Sequence, residues 1–98
     1  MGYVRWSQEA LSWLRENRNH IARDNPEAAR RTAAGIVDRV EVLKTFPQIG
    51  QRYERVTDRE VRILLYGHYR IAYLVTKERD VQLLGIFHGA LDIDRYLG

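Results

Sequence analysis

Val81-Gln82-Leu83-Leu84-Gly85-Ile86-Phe87-His88-Gly89-Ala90-Leu91-Asp92 is the stretch on which the reading of this chain turns. A mostly apolar run ends abruptly in a histidine, a small-residue turn and an acidic residue suited to a helix start. That pattern describes a strand delivering polar groups to the end of a sheet. Upstream, Tyr69-Arg70-Ile71-Ala72-Tyr73-Leu74-Val75 is a second strand with one arginine in an otherwise apolar segment. A charge there must be exposed, paired or functional, because an unpaired buried charge is costly. Glu60 or Asp92 is its expected ion-pair partner.

Glu60 to Tyr66 forms the strand before it, and Gly67-His68 between them suits a two-residue hairpin turn. Such a turn pairs Tyr66 with Tyr69, Leu65 with Arg70, Leu64 with Ile71 and Arg62 with Tyr73. Alternation then places Val61, Ile63, Leu65, Arg70, Ala72 and Leu74 on one face. Arg62, Leu64, Tyr66, Tyr69, Ile71, Tyr73 and Val75 occupy the other. Both faces are largely apolar. One pair of helices covers a single face, so the other is expected to serve as a docking surface.

The helices come from the N-terminal half. Tyr3-Val4-Arg5-Trp6 is a short aromatic and branched strand, followed by Ser7 as helix N-cap and Glu9 in the first turn. Ala10, Leu11, Leu14 and Ile21 share one helical face. Asp24-Asn25-Pro26 breaks this helix and starts the next, with Asn25 as cap and Pro26 at the first helical position. In the second helix Ala29, Ala33, Ile36, Val40 and Leu43 form an apolar stripe, widened by Val37. Phe46-Pro47-Gln48-Ile49-Gly50 ends it with an apolar anchor, a proline stop and a turn glycine. Arg52 to Val56 is expected as a short edge strand, and Lys77 to Asp80 as a charged turn.

Composition fits a single domain spanning residues 1–98, with 45% hydrophobic and 30% charged residues. There is no cysteine, and His20, His68 and His88 lie in separate segments, so neither a metal site nor a cofactor is expected. No signal peptide or membrane span is expected, which makes the chain a cytoplasmic candidate. The net charge of +3 is spread evenly, with eight basic and six acidic residues in 1–50 and eight and seven in 51–98. That excludes a basic nucleic-acid tail. Arginine outnumbers lysine fourteen to two, which suits an acidic protein partner or RNA.

The order of these motifs resembles the RelE/ParE superfamily of bacterial type II toxins. It is carried by Asp24-Asn25-Pro26-Glu27-Ala28-Ala29, Phe46-Pro47-Gln48-Ile49-Gly50, Tyr69-Arg70-Ile71-Ala72-Tyr73 and His88-Gly89-Ala90-Leu91-Asp92. The resemblance implies an α+β fold. An N-terminal strand and an α-helical hairpin pack on a small antiparallel sheet, with a short C-terminal helical segment. It also implies a toxin of the plasmid-stabilisation type and a cognate ParD-like or RelB-like antitoxin, joined in a hetero-oligomer.

Members differ in target. RelE-like members are mRNA endonucleases that work on the ribosome without a metal, whereas ParE-like members inhibit DNA gyrase. Two lysines of the cleaving members fall at Val61 and Ile63 here, and an arginine falls near Ala90 or Leu91. Only Arg70 and Tyr96 match, so the chain resembles ParE more closely. For gyrase the resemblance points to His88, Asp92, Arg95 and Tyr96 as target-binding candidates. For a nuclease the candidates are Arg70, His88, Glu60 and Tyr96. A third possibility is a family member that binds its antitoxin without being toxic. Trp13, Val61, Ile63, Leu65, Arg70 and Leu74 are the antitoxin-binding candidates.

Overall fold

Two capped helices and a tight hairpin organise the molecule. Ser7 Oγ accepts from the Ala10 amide at 3.0 Å and starts α1, Gln8–Ala22. Asn25 Oδ1 accepts from the Ala28 amide at 3.0 Å and starts α2, Pro26–Glu41. Each side-chain acceptor satisfies an amide that the helix itself leaves unpaired. α2 tightens into a 3₁₀ turn, Val42–Lys44. This computed structural model describes residues 2–89 and 91–97. The expectations for Ala90 and Gly98 lie outside the described residues.

The strands are β1 (Val4–Trp6), β2 (Gln51–Arg52), β3 (Glu60–Tyr66), β4 (Tyr69–Val75) and β5 (Val81–His88). They form one sheet in the order β1-β5-β4-β3-β2. A short α3, Asp94–Leu97, follows. The hairpin register is the one expected, with Tyr66 opposite Tyr69, Leu65 opposite Arg70 and Arg62 opposite Tyr73. Gly67, at φ +56°, takes the first turn position, where a left-handed conformation costs glycine little.

The expected antiparallel sheet is formed by β2 to β5, and β1 joins its edge in parallel to β5, which makes the whole sheet mixed. One boundary needs correction. The edge strand begins one residue early and stops at Arg52; Tyr53 adds one further bond, donating to the Val61 carbonyl at 2.8 Å. The regular alternation of an ideal strand is interrupted in β5. A bulge sets Ala72 opposite Gly85 but Tyr73 opposite Leu83, leaving Leu84 as the extra residue. Val81, Leu83 and Ile86 thereby point to one cluster and Leu84 and Phe87 to another.

The helices cover the face that carries Leu64, Ile71 and Tyr73. Ile36, Val40 and Leu43 of the α2 stripe are buried against it, together with Ala10 of α1. Gly35 is part of this contact, since a Cβ there would lie 1.8 Å from the Tyr66 hydroxyl. Glycine lowers helix propensity by about 1 kcal/mol relative to alanine, and the close approach of the tyrosine ring accounts for it. Leu11 and Val37 are exposed, so the apolar stripes are narrower than their sequences suggest. Phe46 is 59% exposed and is no anchor; Pro47 is the buried residue of that turn.

Tyr73 is 0% exposed, and its hydroxyl accepts from the Gly50 amide at 2.9 Å. Burial, opposed by that bond and by Arg62, holds the phenol above its ordinary value, so it stays neutral. Tyr73→Phe is expected to lower stability by about 1–3 kcal/mol, because it strands a buried amide. Denaturant unfolding monitored by circular dichroism checks this.

Candidate functional site

The second face of the sheet carries many of the candidate residues, and it is largely covered rather than open. After His88 the chain turns back over it. Ile93, 7% exposed, packs with Ala72 and Phe87, and Leu91, Leu97, Ile63 and Leu84 pack around them. The docking surface expected from alternation is therefore mostly occupied by the chain's own C-terminal segment. Apolar residues close together in space and joined by a short connection bury one another before any partner arrives.

Trp13 joins this cover from α1. β1 pairs with β5 only as far as Leu83, which leaves the later part of β5 beside α1. There Asn17 Nδ2 donates to the Ile86 carbonyl at 2.9 Å and satisfies the edge. One helical turn earlier, the Trp13 ring meets Phe87 edge-on at 4.8 Å and Tyr96 at 5.1 Å. Phe87 and Tyr96 stack at 5.4 Å. Such pairs contribute about 0.5–1.5 kcal/mol each beyond their buried area. Tyr96 is thus a packing residue on its inner side, while part of its ring stays exposed.

Polar anchors hold the same segment. Tyr53 donates from its hydroxyl to Asp94, and Arg55 Nε lies 3.5 Å from the other Asp94 oxygen. Burial first, and the Asp94 carboxylate second, raise the Tyr53 phenol above its ordinary value and keep its proton in place. Arg70 Nη2 donates to the Leu91 carbonyl at 2.7 Å and to the Gly89 carbonyl at 3.5 Å. Its Nε is buried with no acceptor among the described residues. The expected ion pair with Glu60 or Asp92 does not form. Asp92 and Arg95 are exposed.

Glu60 belongs to a different network. Its Oε2 accepts from Arg62 Nε at 2.7 Å and from Gln48 Nε2 at 2.9 Å. Arg62 Nη1 also donates to the carbonyls of Gly50 at 2.8 Å and Gln48 at 3.2 Å. Burial alone would raise the Glu60 carboxyl, but the Arg62 and Gln48 hydrogen bonds outweigh it and leave it below its ordinary value. Glu60 pairs with Val75 and Arg70 with Leu65, so the two lie at opposite ends of the hairpin, on opposite faces. Five residues of strand separate Val75 from Arg70, roughly 17 Å. His88 pairs with Tyr69 and its ring meets that of Tyr69 edge-on at 5.6 Å. Of the nuclease candidates, Arg70 and Tyr96 contact the tail and His88 ends β5 one register position from Arg70, whereas Glu60 lies apart at the far end of the hairpin.

The antitoxin candidates divide around the C-terminal segment. Leu65, 63% exposed, Ile63 and Arg70 line a groove of about 500 Å³ with Arg39, Ile49 and Arg52. Trp13 and Val61 line a smaller cleft of about 200 Å³ beneath Tyr96 and Leu97. Val61 itself is 1% exposed, and Leu74, its partner across the hairpin, is half-buried. Arg39, Ile49, Arg52 and Tyr53 were not among the sequence candidates. The position of Arg39 off the α2 stripe was the one available signal, and its Nε approaches the Leu65 carbonyl at 3.5 Å.

A helical hairpin on a five-stranded mixed sheet, with the chain's end folded over the free face, is a fold found before. It matches a chain of the chromosomal ParDE toxin–antitoxin system from P. aeruginosa with a TM-score of 0.74 and 24% identity, covering 90% of this chain and 96% of that one. Y4kP of Sinorhizobium fredii, a candidate toxin by its name, is 34% identical over 85 residues, which span 87% of this chain and 85% of that protein. The sequence pattern of the ParE toxin of the type II toxin–antitoxin system, parDE, fits residues 4–93. The chain belongs to the ParE toxin family.

Proposed function

We propose that this toxin inhibits DNA gyrase in the cytoplasm and is neutralised by a cognate antitoxin in a hetero-oligomer. The observation that carries the target reading is the state of the residues an mRNA endonuclease would use. Metal-free cleavage needs a base for the ribose hydroxyl, cations on the phosphorane and an acid for the leaving oxygen. Val61 and Ile63 offer no charge, Arg70 is turned onto main-chain carbonyls, and Glu60 is held by Arg62 and Gln48. Glu60 and Arg70 stand at opposite ends of the hairpin and on opposite faces, so they do not share a site. A protein-binding mode of action fits better, and the exposed Asp92 and Arg95 on the C-terminal segment suit it.

The antitoxin reading rests on family membership and on the groove. Apolar Ile49, Ile63 and Leu65 beside Arg39, Arg52 and Arg70 suit an acidic amphipathic segment. Calorimetry with the product of the neighbouring gene tests this part, and failure to form any stable complex counts against it.

The target is tested by adding the purified chain to gyrase and to a ribosome-programmed mRNA in parallel. Inhibited supercoiling with intact mRNA is the expected result. Site-specific mRNA cleavage that disappears in His88→Ala or Arg70→Ala would replace gyrase by the nuclease reading, and activity in neither assay would favour a non-toxic member. Asp92→Ala and Arg95→Ala are each expected to lower toxicity while leaving the melting temperature within about 2 °C, since both are exposed surface changes. Growth assays paired with thermal melts check this, and full toxicity in both variants moves the target contact elsewhere.

A further inference from the structure

Of the six residues that β3 and β4 place on the second face, five are apolar and the sixth is Arg70. Nothing in the packing of that face calls for a cation. The guanidinium forms no ion pair among the described residues, and its Nε has no acceptor among them. A half-buried charge met by neutral carbonyls alone is a costly arrangement for stability. It does one thing well, which is to fix the course of the main chain just where β5 ends. Both bonds leave from Nη2 and reach the carbonyls of Gly89 and Leu91, just beyond the end of β5 at His88. The next residue is the exposed Asp92, and Arg95 follows on α3.

We propose that Arg70 is a positioning residue. Its guanidinium holds the main chain at Gly89 and Leu91 so that Asp92 and Arg95 are displayed to the target in a single geometry. The inference rests on the gyrase reading for its functional half, while its structural half stands independently. It gives a mechanical task to an arginine that the sequence offered as a nuclease candidate. A charge-assisted bond to a carbonyl is stronger than a neutral one, and planar guanidinium presents its N–H groups in fixed directions. The remaining anchors, Tyr53 and Arg55 on Asp94 and the Tyr96 ring on Phe87 and Trp13, act further along. At the exit from β5 the Gly89 amide also donates to the His68 carbonyl at 2.7 Å, and Arg70 adds the side-chain bonds to the Gly89 and Leu91 carbonyls.

The test compares Arg70→Met and Arg70→Lys with a semisynthetic chain in which the Leu91–Asp92 amide is an ester. The ester leaves Arg70 intact and weakens the carbonyl it grips. Hydrogen exchange is read at the bonded amides of Leu91, Arg95, Tyr96 and Leu97, and separately at those of β3 and β4. Exchange at the four tail amides is expected to rise about ten-fold or more in Arg70→Met and in the ester, with the strand amides within about two-fold of wild type. Gyrase inhibition should fall by a similar factor in both, and Arg70→Lys should recover part of each loss. Unchanged tail exchange in the ester overturns the proposal, and so does faster tail exchange with undiminished inhibition. Should Arg70→Met lose strand protection as well, the ester decides. If the wild-type chain does not inhibit gyrase, the target reading falls, and the exchange comparison still decides whether Arg70 holds the segment.

Discussion

A chain ending at Gly89 is expected to lose a large part of its stability along with its toxicity. The missing segment supplies Ile93, 7% exposed, and the half-buried Leu91 and Leu97, and it removes the Tyr96 ring from Trp13 and Phe87. Burying one large apolar side chain is worth about 1.5–3 kcal/mol. One full and several partial burials therefore sum to about 4–6 kcal/mol, a large part of the roughly 5–15 kcal/mol of a typical domain. At about 4–8 °C per kcal/mol the melting temperature should fall by about 15 °C or more. The uncovered face, with Phe87, Leu84 and Ile63, should also bind hydrophobic dyes and aggregate. Calorimetry of the truncated chain decides the matter. A fall of less than about 5 °C would mean that the segment lies on the surface without belonging to the core.

Arg62→Met should change both the stability and its response to pH. The Arg62 and Glu60 side chains are only 18% and 22% exposed, and the arginine bonds both the Glu60 carboxylate and the carbonyls of Gly50 and Gln48. Breaking a well-buried pair typically costs about 3–5 kcal/mol, and the residual exposure here reduces that to about 2–4 kcal/mol. In the wild-type protein the folded-state pKa of Glu60 lies below its unfolded value. The unfolded chain then binds more protons in the interval between the two. Glu60 thus contributes stability that is present above the unfolded value and lost as pH falls through the folded one. Without Arg62 the desolvation of the carboxylate is opposed mainly by Gln48, and this rise of stability with pH should disappear. Urea unfolding between about pH 3 and pH 7 checks it. An unaltered slope in Arg62→Met would assign the shift to other charges, and Glu60→Gln provides the reference in which the slope is absent.

Local chemistry was readable ahead of the structure. Ser7 and Asn25 cap the helices because their short acceptors reach amides three residues on, and nothing distant can change that. Gly67-His68 set the hairpin register because a two-residue turn leaves one pairing, and all the expected partners of Arg62 to Tyr66 are found. The family resemblance, too, rested on short motifs whose order survives in the fold. Stripe width was less legible: Leu11, Val37 and Phe46 are apolar yet exposed, because burial depends on where the neighbouring element ends.

For the site, the sequence by itself determined which side chains stand on each face of β3 and β4, and that Arg70 is the charge among apolar neighbours. It also placed Asp92 and Arg95 in the segment that follows the last strand. Only the tertiary structure decided which face the helices cover, that β1 runs parallel to β5, and that the bulge at Leu84 redirects Ile86 and Phe87. It likewise decided that Arg70 grips the Leu91 carbonyl while Glu60 belongs to Arg62. Two apolar faces of similar character leave the choice open to pattern reading. The choice is made by the free energy of contacts between residues far apart in the chain, and these depend on three-dimensional closure rather than on spacing.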